Sequence, residues 1–313
     1  MDIAPHLTAG ELDVELSKRP GLIPVAIAND SAQILWLDLD AYHAHEGFFH
    51  QSIAAYTALC KTTPRRFFTA FDVLGSIRVP DTLRPTGFIF HAGRCGSTLL
   101  VKILARSRGN LVFSEAAPHN QIWRALPPDR AARLATYRNL ITAMGRRRLE
   151  SYRAHIVKFT SFNIMQIESI RAAFPGVPAL FLFRDPAAAM DSFARNPPGW
   201  LGRDVGFGQP WRQMEPALEG FLRAASLTID RNFRCLDYSS LSPEFLPSIL
   251  DFLGVRPTAQ EFRAMLSEFH RDAKSGLPRS LEPAGAVPGS PVSGVLRSLY
   301  RQLIGRVRAD WAE

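Results

Sequence analysis

Apolar positions in this chain fall mostly into short continuous runs bounded by turn residues, rather than into alternating patterns. GFIFHA from Gly87, NLVFS from Asn110 to Ser114, HIVKF from His155 to Phe159, VPALFLF from Val177 to Phe183 and FRCLDY ending at Tyr238 are the five clearest. Runs of this length and composition predict strands buried on both faces, as in a parallel sheet. Segments of helical period lie between them. LLVKILARS follows GRCGST, residues 119–155 read as mostly helical and basic, and Ile164 to Phe174 predicts a helix stopped by Pro175-Gly176. Asp185 to Arg195 opens another, and a further helix follows a Gly/Pro/Trp-rich stretch at 196–211. Strands alternating with helices predict an α/β fold, a P-loop-type parallel sheet flanked by helices on both faces. Ligands in such sheets bind beyond the carboxyl ends of the strands.

Before the first run the pattern is weaker. Ile34 to Leu37 is a short apolar stretch, followed by an aromatic segment through Tyr42, Phe48 and Phe49. The Pro-punctuated passage VPDTLRPTG reads as a linker ending at Gly87. The expected organisation is a small N-terminal accessory segment, residues 1–82, packed on a main domain at 83–313.

Composition changes this picture little. A 313-residue chain with 46% hydrophobic and 21% charged residues has enough apolar material for one large core. The formal net charge of +8 favours anionic ligands. Arginines are spread along the chain, Arg146 to Arg148 being the only run of three, and they read as a solvated surface. No basic face with interleaved aromatics indicates nucleic acid. Cys60, Cys95 and Cys235 are odd in number and scattered, which fits neither a disulfide framework nor a zinc site. His43 and His45 form an H-x-H pair without partner ligands, so no metal is expected. The N-terminus lacks a signal-peptide pattern and no apolar run approaches the roughly 20 residues of a membrane span. A cytoplasmic protein without a membrane partner is expected.

Candidate chemistry centres on His91-Ala92-Gly93-Arg94-Cys95-Gly96-Ser97-Thr98, between a predicted strand and a predicted helix. Gly93 and Gly96 let the backbone turn tightly, and the helix amides with the Ser97 and Thr98 hydroxyls can donate to phosphate oxygens. An ATP or GTP loop would carry Lys directly before the Ser/Thr; here Gly96 stands there, and the cation is Arg94. Further along, Phe183-Arg184-Asp185-Pro186 closes a strand, with Ser192 about two helical turns on. An arginine fork and a helix serine together make a phosphate site.

These two motifs resemble the sulfotransferase family. The loop is similar to its 5′-phosphosulfate loop, P-[KR]-[ST]-G-[ST]-[ST], with Gly93 in place of Pro and Cys95 in place of Ser or Thr. The resemblance covers roughly residues 85 to 280 and implies that Gly93, Arg94, Cys95, Gly96, Ser97 and Thr98 hold the phosphosulfate. Cys95 lacks the hydroxyl donor of the family residue. Arg184 and Ser192 would hold the 3′-phosphate of the co-substrate 3′-phosphoadenosine 5′-phosphosulfate (PAPS). Glu115 lies 21 positions after Arg94, where tyrosylprotein sulfotransferases carry their catalytic glutamate. It is the expected general base, with His119 as rival because cytosolic members use histidine. Lys158 stands where that branch has a lysine on the transferring group. Lys274, with Arg279 nearby, falls where the family's C-terminal lid closes over the nucleotide. Trp200 and Trp211 are candidates for an acceptor pocket, and Asp237 and Tyr238 read as scaffold. The implied reaction is metal-free sulfuryl transfer to a hydroxyl, or an amine, of a small-molecule or peptide acceptor, with a homodimer left open. The alternatives are an ATP-dependent P-loop kinase and a non-catalytic nucleotide-binding protein of the same fold.

Overall fold

The computed structural model describes residues 4–28, 32–195, 214–228, 230–271 and 292–311. The continuous apolar runs form a five-stranded, wholly parallel sheet: β4 (Gly87–His91), β5 (Asn110–Ser114), β6 (Ala154–Lys158), β7 (Ala179–Phe183) and β8 (Phe233–Asp237), in the spatial order β5-β6-β4-β7-β8. Period-2 alternation divides each strand between two cores. Phe88 and Phe90 of β4, with Phe181 and Phe183 of β7, enter one core, while Ile89, Leu180 and Leu182 enter the other. This two-sided burial is why the runs are mostly apolar, with their polar residues near the strand ends.

Helices cover both faces. The Ile89 side packs against α3 (Ser97–Ala105), α9 (Leu246–Phe252) and α10 (Ala259–Ser267). The Phe88 side packs against α5 (Arg130–Met144), α6 (Ile167–Ala173), α8 (Met214–Leu227) and α11 (Gly294–Asp310). Two further helices, α4 (Ala117–Ala125) and α7 (Pro186–Arg195), begin just beyond the carboxyl ends of β5 and β7. Strand β4 is central: the chain leaves it to one side for β5 and β6, then crosses to the other for β7 and β8. A crevice therefore opens beyond its carboxyl end.

The N-terminal residues build a second layer. Helix α1 (Ala9–Lys18) starts with a capping box between Thr8 and Glu11. An antiparallel sheet follows, β1 (Leu22–Ala28), β2 (Gln33–Asp38) and β3 (Arg66–Ala70), with α2 (Phe49–Leu59) inserted before its last strand. Its inner residues Ile23, Ile34 and Trp36 join the same core as Phe88 and Phe181, and the backbone of Ile27 is hydrogen-bonded to Gln121 of α4 at 2.8 Å.

Two sequence expectations are corrected. The Pro-rich passage read as a linker is pinned to the main domain: Leu83 N–H donates to the Gly145 carbonyl at 2.8 Å, and His155 Nδ1 lies 3.1 Å from the Leu83 carbonyl. The arginine run is not solvated throughout. Arg146 and Arg148 are buried in the extended stretch before β6, where they donate to the carbonyls of Leu16 and Tyr42. Backbone carbonyls from the N-terminal layer thus hold these guanidinium groups. Among the described residues, no helix is long and apolar enough to cross a membrane.

Candidate active site

Three adjacent strand ends bring the chemistry together. β5 ends at Ser114, whose hydroxyl donates to the Gly47 carbonyl at 2.8 Å, and Glu115 follows with φ 51°. Left-handed backbone at a non-glycine residue is uncommon and collects at functional sites. Arg94, at φ 53°, has the same geometry. The Glu115 N–H continues the ladder to the Lys158 carbonyl at 2.8 Å, and the side chains of the two residues meet as well: Lys158 Nζ donates to Glu115 Oε1 at 2.5 Å. Lys158 is wholly buried, whereas the Glu115 side chain stays 23% exposed, so the pair opens to the crevice on the carboxylate side. Burial alone would raise the Glu115 carboxyl. The Lys158 charge and the contact with His91 outweigh it and hold the group down at about 2, ionised at neutral pH.

The loop after β4 turns sharply through left-handed backbone. Gly93 and Gly96 have φ of 85° and 79°, and a Cβ at Gly96 would stand 2.7 Å from the Tyr238 ring. Only glycine satisfies both demands at Gly96. No side chain caps α3 at Gly96, unlike α1 and α10, which carry full capping boxes. The first amides of α3 therefore have no side-chain cap, and the positive end of the helix dipole faces the loop. Ser97 is buried at the first helical position and Thr98 is half-buried. Cys95 faces the hydrophobic core, and burial pushes its thiol up to about 11, so it sits there as a small neutral core residue. The guanidinium of Arg94 lies 5.4 Å from the Phe193 ring on α7.

On the far side of the loop, Arg184 follows β7, with its guanidinium 4.6 Å above the ring of Tyr238. Tyr238 thus packs against both Arg184 and the loop glycine. Ser192 lies on α7 beside Phe193, the residue that meets Gly93 and Arg94. His119 is placed differently. It is 1% exposed, stands 5.5 Å from Phe159 in edge contact, and neither ring nitrogen has a hydrogen-bond partner. Burial, with His155 nearby, holds it down at about 3. Lys274, Arg279, Trp200 and Trp211 lie outside the described residues.

Sequence reasoning missed several neighbours. Phe48, from the N-terminal layer, lies 5.2 Å from Lys158 Nζ as a cation–π contact, so that layer reaches the site. His91, buried at the end of β4, has Nε2 3.3 Å from Glu115 Oε1. Its one visible signal was a polar residue closing an apolar strand. His43 of the H-x-H pair contacts the Tyr152 hydroxyl and the Ala105 carbonyl instead of a metal-ligand partner. Among the described residues no group of three or more His, Cys, Asp or Glu could hold a metal ion.

No protein-family model matches this chain, and no curated protein matches it. Solved structures do. The sulfotransferase domain from the curacin biosynthetic pathway superposes with a TM-score of 0.50 at 16% identity, covering 72% of this chain and 99% of that one. The sulfotransferase STF1 from Mycobacterium tuberculosis H37Rv gives a TM-score of 0.43 at 14% identity, over 96% and 99% of the two chains. Mouse sulfotransferase SULT7A1, complexed with PAP, gives 0.33 at 12% identity, over 74% and 86%. The first of these likenesses establishes the class: an α/β chain with the sulfotransferase-type fold, its parallel sheet flanked by helices.

Proposed function

We propose that this protein transfers a sulfuryl group from PAPS to a hydroxyl acceptor. The observation that carries the reading is the buried Lys158–Glu115 pair, set at adjoining strand ends beside a loop whose helix amides are uncapped. An ionised carboxylate and a buried ammonium within one crevice provide a proton acceptor and a cation for developing charge. The kinase alternative requires Lys where Gly96 stands.

PAPS supplies an activated sulfuryl group, and the sulfur–oxygen bond to the acceptor forms as the one to the nucleotide breaks. Loose transfers of this kind are catalysed mainly by positioning and charge neutralisation. Arg94 and the α3 amides would hold the donor's 5′ end, and Arg184 with Ser192 its 3′-phosphate. Glu115 would take the acceptor's proton. A carboxyl held at about 2 is a weak base while Lys158 remains on it. As Lys158 turns toward the transferring group, Glu115 recovers basicity at the moment the proton must leave.

The test is incubation of the purified protein with labelled PAPS and a panel of phenol, sugar and peptide acceptors. Adenosine 3′,5′-bisphosphate should accumulate in step with a sulfated product, at a rate unaffected by metal chelators. Turnover of ATP with strict magnesium dependence would overturn the reading in favour of a kinase.

A further inference from the structure

We propose that His91 is a positioning residue that ties the backbone of the phosphate loop to the carboxylate of Glu115. The inference rests on the reading of Glu115 as the base. It adds a residue that the loop motif does not specify.

The hydrogen bonds assign the ring's protons. Gly93 N–H donates to His91 Nδ1 at 3.1 Å, and the Ser161 hydroxyl lies 3.1 Å from the same nitrogen. A backbone amide can only donate, so Nδ1 must carry a lone pair. The neutral ring then has its proton on Nε2, the atom 3.3 Å from Glu115 Oε1. An imidazolium would turn an N–H against the Gly93 N–H. Burial first, and then the Lys158 charge, also disfavour the cation, against a smaller opposing pull from Glu115.

The arrangement has a consequence for the base. His91 and Lys158 both approach Oε1 of Glu115, and neither contact uses Oε2. Lys158 thus orients the carboxylate by a hydrogen bond to Oε1, the His91 Nε2–H, which has no hydrogen-bond partner, stands 3.3 Å from the same oxygen, and the other oxygen is left for an acceptor hydroxyl. Because the same ring accepts from Gly93, a shift of that peptide when the loop takes up an anion would reach Glu115 through one rigid side chain. Misplacement of a reacting group by about 1 Å can cost about 100-fold in rate, so this linkage has kinetic weight.

The experiment has two arms on the full-length protein. Imidazole ¹⁵N spectra should show His91 as the neutral Nε2–H tautomer from about pH 6 to 8; a protonated Nδ1, or a cation at pH 7, would overturn the proposal. This arm needs no turnover, so it decides the His91 contact even if the protein proves not to transfer sulfuryl groups. The second arm separates the two ends of the ring. In His91→Asn the amide oxygen replaces Nδ1 and keeps the Gly93 bond, but cannot reach Glu115. In His91→Gln the amide nitrogen replaces Nε2 and keeps the Glu115 contact. The Asn variant should bind adenosine 3′,5′-bisphosphate within about threefold of normal while single-turnover transfer slows about 10- to 100-fold. The Gln variant should keep most of the rate and bind the nucleotide more weakly. Equal losses of rate and affinity in both variants would show a merely structural residue.

Discussion

Glu115→Gln is expected to slow the chemical step by about two to four orders of magnitude, the usual worth of a positioned base. Nucleotide affinity should change only a few-fold, since Glu115 lies on the β5–β6 side of the loop and Arg184 on the β7–β8 side. The substitution also bears on stability. Lys158 is wholly buried and would lose its counter-charge. Removing one partner of a buried pair typically costs about 3–5 kcal/mol, and the low end applies here. The side chain is 23% exposed, and the amide oxygen still accepts from Lys158. Glu115→Gln combined with Lys158→Met should recover most of that stability and none of the rate. Denaturant unfolding and single-turnover transfer read the two effects separately. A Glu115→Gln protein that keeps its rate, beside a His119→Gln protein that loses it, would move the base to His119. That outcome would require a ring now packed against Phe159 to leave the core.

The second large effect is acid lability. Burial is the leading cause that holds His119 at about 3 and His155 at about 4, with the Leu83 carbonyl pulling the latter up. Both lie below the unfolded value of about 6.5. The unfolded chain therefore binds protons from about pH 6.5 downward, while the folded chain refuses them until about pH 4 at His155 and about pH 3 at His119. Stability present above pH 6.5 is lost through that window, at about 1.4 kcal/mol per pH unit for each ring. The two together remove about 5 kcal/mol by pH 4.5, comparable with the whole stability of many domains. Glu115 adds to the loss below about pH 4.5, where the unfolded carboxyl begins to protonate. Acid unfolding should thus be complete well before ordinary carboxylate titration ends. His119→Leu, which removes one proton sink and two unpartnered nitrogens, should stabilise the protein and lower the midpoint by about half a pH unit or more. A midpoint unmoved by this change, followed by circular dichroism, would contradict the argument.

The parallel sheet was legible because its strands are buried on both faces and so read as mostly apolar runs; NLVFS marks β5 from first residue to last. Arg94, Glu115, Lys158 and Arg184, the residues that motif spacing singled out, all stand at or just beyond strand ends. What the sequence hid depends on contacts between distant residues. Leu83 finds Gly145, Arg148 finds the Tyr42 carbonyl and Phe48 finds Lys158, and no local periodicity encodes such pairs. Counting arginines gives the charge but not its burial, so Arg146 and Arg148 read as solvent-facing. The N-terminal sheet was under-read for a local reason: β1 carries Pro24 at a register shift, which breaks the alternation that would have marked it.

Recognition of the 3′-phosphate is the point on which the account stands, and calorimetric titration tests it directly. Adenosine 3′,5′-bisphosphate and AMP differ by that phosphate alone. The wild-type protein should bind the bisphosphate about 10- to 100-fold more tightly, the worth of about 1.5–3 kcal/mol for a charge-assisted hydrogen bond. In Arg184→Ala, which removes the guanidinium that stands above Tyr238, the two affinities should converge. Equal wild-type binding of AMP and the bisphosphate, or tighter binding of ATP in the presence of magnesium, would contradict the assignment.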